Sequence, residues 1–161
     1  MKLKAFLMMA IITFCMVACS DDEEVKPLAD SVVGTYSGTL DMTVAGNSAG
    51  SSELSVEVTR MSDATLSVVI VNKTAATGGM SIHRIAIEDI TVADAGNSVY
   101  TLSKVIPEEG LVATDIGSEN KTVWTFKSFS GSVDKGTIQL NMVAQPGAMP
   151  MPITMVFAGT K

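Results

Sequence analysis

The chain has 161 residues, of which 47% are apolar, 17% charged and 5% aromatic, with a formal net charge of −6, one His and two Cys. That composition fits one domain, being too short for separate catalytic and cofactor domains and too apolar for intrinsic disorder. The acidic balance speaks against nucleic acid as a partner, because phosphate binding draws on clustered Lys and Arg, and no basic cluster occurs.

Lys2 and Lys4 precede an apolar run from Ala5 to Ala18, broken only by Thr13. This run is too short to cross a hydrocarbon core of about 30 Å as a helix and reads as the h-region of a secretory signal. It ends in Met16-Val17-Ala18-Cys19, which resembles the lipobox at which bacterial lipoproteins are cut and acylated. Cys19 would then be the first mature residue and carry the lipid. At about 0.8 kcal/mol per buried methylene, more than one acyl chain gives a stable anchor. The alternative is ordinary signal cleavage with Cys19 as a bystander.

Ser20-Asp21-Asp22-Glu23-Glu24 follows, a run of four carboxylates that repel one another and cannot pack. It serves as a solvated spacer, and it is also similar to the Ser-plus-acidic export signal of Bacteroidetes lipoproteins that face outward from the outer membrane. The expected organisation is a signal peptide over 1–18, a lipidated acidic tether over 19–29 and a folded domain over 30–161. With Cys15 removed and Cys19 acylated, no disulfide is expected, and a domain of this size can bury enough surface without one. Loss of Lys2 and Lys4 leaves 9 basic against 17 acidic residues, a mature charge of −8. Asp30-Ser31-Val32 resembles a short O-glycosylation acceptor of Bacteroidetes.

From Val33 onward, period-two alternation recurs between clusters of Gly, Asn, Asp and Ser, which predicts an all-β domain. The first strand sets Tyr36, Gly38, Leu40, Met42 and Val44 against Ser37, Thr39, Asp41 and Thr43. After a predicted loop at Gly46–Gly50, the second turns Leu54, Val56 and Val58 inward, and Ser62-Asp63 reverses the chain. A third strand carries Leu66, Val68 and Ile70, with Val69 and Val71 making its end apolar on both faces. Lys73 to Gly79 is read as a loop.

The fourth strand, roughly Met80 to Val92, changes parity between Ile85 and Ile87 on one side and Ile90 and Val92 on the other. A bulge near Glu88-Asp89 would restore the phase. Asp94-Ala95-Gly96-Asn97 turns into a fifth strand with Tyr100 and Leu102, followed by a long polar loop from Pro107 to Asn120. The sixth strand, about Thr122 to Val133, requires a second phase slip between Trp124 and Phe126 and the later Phe129 and Val133. Asp134-Lys135-Gly136 suits a tight hairpin, where Gly supplies positive φ. Ile138, Leu140 and Met142 then alternate inward, and Ile153, Met155 and Phe157 form the last strand.

Eight such strands with short connections predict an antiparallel up-and-down barrel, with a two-sheet sandwich as the alternative. The outward parity is rich in Ser, Thr and Glu, which suits water rather than lipid. Val33-Gly34-Thr35-Tyr36-Ser37-Gly38-Thr39-Leu40, the hairpin Gly131 to Leu140 and the ending Gln145 to Ile153 through Phe157, Gly159 and Lys161 together resemble the calycin-like β-barrel lipoproteins of Bacteroidetes. The resemblance implies a lipocalin-like barrel in an envelope lipoprotein, and it carries no catalytic residues.

The residues give no sign of catalysis. Metal sites need several His, Cys or carboxylates at fixed spacing, and hydrolytic triads need a positioned base; His83, beside Arg84, is the only imidazole and reads as a surface or packing residue. Glu88-Asp89 and Glu108-Glu109 are neighbours that would point to opposite faces of a strand, not a facing pair. No Gly-rich loop opens a helix, so no cofactor is expected. The candidate binding residues are Tyr36, Tyr100 and Trp124, which combine an apolar body with a polar handle, and Met149 and Met151, which offer adaptable apolar surface between prolines. Core packing and a rigid turn are the structural alternatives for these two groups. The Pro107–Asn120 loop is long enough to act as a lid or to be a plain connection. Two functions compete: a tethered module holding a small apolar molecule in its barrel, and a solid scaffold that contacts another envelope protein.

Overall fold

A computed structural model of the protein describes residues 26–72, 82–117 and 122–161. The expectations for Cys19, Ser20, Asp21, Asp22, Glu23 and Glu24 fall outside the described residues. One short helix, α1 (Leu28–Val32), precedes nine strands: β1 (Gly34–Val44), β2 (Asn47–Arg60), β3 (Thr65–Val71), β4 (Arg84–Gly96), β5 (Val99–Ser103), β6 (Leu111–Thr114), β7 (Val123–Asp134), β8 (Thr137–Pro146) and β9 (Ile153–Thr160).

Every pairing is antiparallel, and the sheet closes on itself. β9 returns to β1 over eight residue pairs, from Ser37↔Thr160 to Val44↔Ile153. With β5 also paired to β7, the strands form one continuous ring of ladders, which excludes a sandwich of two separate sheets. The barrel has eight wall positions filled by nine strands. β5 pairs with Ser130–Asp134 of β7, and β6 pairs with Val123–Phe126 on the same edge, so these two short strands share one position end to end. Lys104 to Gly110 leaves the wall between them. The segment expected as a long polar loop, Pro107 to Asn120, thus contains strand β6, whose four residues are too few to announce a period.

Both expected phase slips are present. Leu66 pairs with Ile90 while Val68 pairs with Ile87, which leaves Glu88 and Asp89 opposite a single residue; Asp89 has φ 53°. This bulge returns Ile90 and Val92 to the interior with Ile85 and Ile87, all four buried. On β7 the ladder skips Lys127 between Phe126 and Ser128, and Trp124, Phe126, Phe129 and Val133 all turn inward. Bulges also give a small barrel its curvature.

Three hairpins turn on two residues of positive φ: Ala45-Gly46, Asn97-Ser98 and Lys135-Gly136. This is the backbone twist that matches right-handed strands. The first of them replaces the broader loop expected at Gly46–Gly50, so β2 begins as early as Asn47.

The two ends of the barrel differ. The proximal end carries α1 and the β2–β3, β4–β5 and β7–β8 turns. The distal end carries the β1–β2 turn, the segment between β6 and β7, and the β8–β9 connection. At the proximal end α1 seals the interior: Ala29 and Val32 are fully buried, the Ala29 N–H donates to the Asp63 carbonyl at 3.1 Å, and Arg60 pairs with Asp30 and Asp63. A helix of five residues is not stable alone, so these tertiary contacts hold it. The core is continuous from α1 through all nine strands.

Candidate functional site

The register assembles the interior into cross-strand rungs whose members lie far apart in sequence. Near the distal end, Val44, Ile153, Ala144, Phe126 and Leu111 are successive neighbours on β1, β9, β8, β7 and β6. The rung beneath joins Met42, Met155, Met142 and Phe129. Directly opposed side chains in a ladder have Cβ atoms about 4.5–5.5 Å apart, so Met155 stands beside both Met42 and Met142 inside the wall. Thioether chains are unbranched and repack readily around a guest of irregular shape. Each of the three was expected inward from its own alternation, but their grouping required the register.

Trp124 stands above these rungs as the most distal inward residue of β7, between Ala113 of β6 and Pro146 of β8. Its side chain is 1% exposed, and its indole Nε1–H is the one buried side-chain polar atom among the described residues with no hydrogen-bond partner. Buried donors are nearly always paired, and an orphan costs about 1–3 kcal/mol.

The five candidate residues separate between the ends. Tyr36 belongs to the proximal seal: its hydroxyl donates to the Val32 carbonyl at 2.7 Å, and the Lys161 ammonium lies 5.3 Å from its ring centroid. Burial pushes its phenol up to about 12 from an ordinary 10. The polar handle of Tyr36 is therefore already engaged in tying α1 to β1. Tyr100 is half-buried on β5, opposite Asp94 and Val133, also toward the proximal end. Trp124, Met149 and Met151 come together at the distal end. Met149 is half-buried, its N–H bonded to the Pro146 carbonyl and its own carbonyl accepting from the Gln145 amide, while Met151 is 45% exposed. Ile116, Val123 and Val112 add exposed apolar surface nearby, with Val112 and Val123 diagonal to one another across the β6–β7 ladder.

One polar feature of this end was not legible in the sequence. Asp115, immediately after β6, has a fully buried carboxylate that accepts the backbone N–H groups of His83 and Arg84 at 2.8–3.1 Å and faces His83 Nδ1 at 3.3 Å. The Ile116 N–H adds a bond to the Arg84 carbonyl. Together they fasten the end of β6 to the start of β4, where no strand ladder joins these two neighbours. Asp115-Ile116-Gly117 reads as an ordinary turn, and nothing in its spacing marks the aspartate as buried. The His83–Asp115 pair is a brace: both carboxylate oxygens are occupied by backbone amides. Among the described residues, no group of three or more His, Cys, Asp or Glu side chains converges on a possible metal position.

Comparison with known proteins agrees with this architecture. A profile of the calycin-like β-barrel domain matches residues 32–160. A crystal structure of a candidate outer membrane protein of Bacteroides fragilis is similar in fold, with a TM-score of 0.68 at 23% identity; the match covers 84% of this chain and 53% of that one. The chain therefore spans about half the length of that relative. A redesigned β-barrel matches at a TM-score of 0.47 and 13% identity, over 85% of this chain and 98% of that one. No curated protein matches. The profile match over nearly the whole barrel, on a chain whose first and last strands pair, identifies this protein as a member of the calycin-like β-barrel domain family.

Proposed function

We propose that the protein is a lipid-anchored module of the bacterial envelope that holds a small, mainly apolar molecule in the distal half of its barrel. The observation that carries this reading is the inequality of the two ends. One is sealed by α1 and the Tyr36–Val32 bond; the other sets Ile116, Val123 and Met151 at the surface above an aliphatic and thioether interior. A guest would enter through the distal end and settle against Met42, Met142, Met155 and Trp124. The barrel acts by binding, without catalysis. The reading is tested by native mass spectrometry of protein recovered from its own cells, where a retained small molecule is expected. Ligand-free protein with a co-purifying subunit would instead favour the scaffold reading, for which the exposed Val112, Ile116 and Val123 supply a contact surface.

The envelope location rests on the signal-like Lys2–Ala18 segment and the lipobox-like residues before Cys19, and the Bacteroides fragilis relative is named as a candidate outer membrane protein. Ser20, Asp21, Asp22, Glu23 and Glu24 support export to the outer face. A lipid on Cys19 would approach the barrel from the sealed end, because the chain enters the fold there at Leu28. The eight intervening residues reach at most about 30 Å at ~3.5 Å per residue. Cys19→Ala should move the protein from the detergent phase to the aqueous phase; unchanged partitioning would refute lipidation. On intact cells, added protease should degrade the wild-type protein if the outward orientation holds.

A further inference from the structure

Among the described residues, the Trp124 indole N–H is the fully buried side-chain polar group without a hydrogen-bond partner. Tyr36 has its hydroxyl committed to Val32, while Tyr100 and Ser52, also on the inward parity of β5 and β2, are only half-buried. Among the described residues no Lys or Arg is buried, and the buried polar or charged residues are Ser55 and Asp115. Ser55 lies on the outward parity of β2, next in chain to the inward Leu54 and Val56. Asp115 is at the same end as Trp124, with its oxygens engaged by the His83 and Arg84 amides. The Trp124 indole N–H is thus the donor that is both fully buried and unpaired.

We infer that Trp124 Nε1 selects the chemical class of the guest: an uncharged apolar molecule carrying one oxygen acceptor, such as a ketone, ester or ether, in preference to a hydrocarbon or a carboxylate. The inference rests on the binding reading above. A hydrocarbon leaves the indole donor unsatisfied, whereas a carbonyl oxygen accepts it. A carboxylate can also accept, but among the described residues no buried Lys or Arg is there to balance its charge. Burying an anion without a compensating charge is far more costly than burying a neutral carbonyl. The three methionines beneath Trp124 accommodate the chain of the guest and impose little shape, so discrimination falls to the head group.

The test uses three probes of matched size, 2-octanone, n-nonane and heptanoate, each competing against N-phenyl-1-naphthylamine fluorescence at pH 7. The wild-type protein is expected to bind 2-octanone about five- to tenfold more tightly than n-nonane, the range set by one net hydrogen bond, and heptanoate more weakly than 2-octanone. In Trp124→Phe the advantage of 2-octanone over n-nonane should vanish, whatever the smaller ring does to the affinity for both, because the ratio of the two reports the donor. Equal binding of ketone and hydrocarbon by the wild type, tightest binding of heptanoate, or a ketone preference that survives in Trp124→Phe would overturn the inference and leave the binding reading intact. Failure of the naphthylamine and all three probes to bind would overturn the binding reading itself. Should Trp124→Phe not fold, the wild type decides: it contains one Trp, so its single indole ¹⁵N–¹H signal should shift with 2-octanone and hold still with n-nonane, and an indole signal indifferent to 2-octanone would overturn the inference.

Discussion

Replacing Gly38 with Ala should break the barrel where it closes. Gly38 of β1 pairs with Gly159 of β9, and a Cβ placed on Gly38 would lie 2.0 Å from the Ala158 carbonyl oxygen and 2.5 Å from the Gly159 Cα. A carbon and a carbonyl oxygen in contact stand about 3.3 Å apart, so β9 would have to retreat by roughly 1.3 Å. The obstacles are backbone atoms held in the closing ladder, which cannot rotate away as a side chain would. Overpacking ordinarily costs about 1–3 kcal/mol, and a backbone collision lies at or above the top of that range. We expect a loss of about 3 kcal/mol or more, which for a domain of this size lowers Tm by roughly 10 °C. Urea unfolding followed by the emission of the lone tryptophan, Trp124, measures the loss, and amide exchange in Ser37–Val44 reports whether it is local to the seam. The outward, exposed Ser37→Ala serves as control and should change stability by less than about 0.5 kcal/mol. A Gly38→Ala protein as stable as the control, with protected β1 amides, would refute the closure geometry.

Two other perturbations separate the ends. The Tyr36 phenol is held neutral in the fold with its pKa raised to about 12, above the ordinary 10, so its contribution is complete below pH 10 and is lost as pH rises through 12. Stability should decline over that window in the wild type and decline less in Tyr36→Phe; parallel curves would remove Tyr36 from the proximal seal. Asp115→Ala deprives the His83 and Arg84 amides of their acceptor and should cost about 1.5–3 kcal/mol, with faster amide exchange at His83, Arg84 and Ile116. Unchanged exchange at these three positions would show that the brace does not hold β6 to β4.

The fold was legible wherever one parity is apolar over five residues or more. Tyr36 to Val44 and Ile138 to Met142 give their inward faces directly, and the two places where parity breaks, Glu88-Asp89 and Lys127, are where the bulges lie. Strand β6 was not legible, because Leu111 and Ala113 are a short and weak inward pair and the strand forms by adding to the edge of β7. The helix α1 escaped for a similar reason: Ala29 and Val32 are buried by docking under the β2–β3 turn, a contact between segments about thirty residues apart. At the site, residue type named Tyr36 and Trp124 alike, since both combine a ring with a donor. Only the coordinates separate a donor already spent on Val32 from one that is free. The Met42–Met155–Met142 rung joins β1 to strands a hundred residues later, and barrel closure alone puts them together.

The internal binding site is tested most directly by labelling the methionine methyl groups with ¹³C and titrating the folded protein with 2-octanone. The signals of Met42, Met142 and Met155, inside the distal half, should move together and saturate, while Met61 at the proximal end should hold still. Shifts confined to the exposed Met61 and Met151, or no shift at all, would contradict a guest held within the barrel.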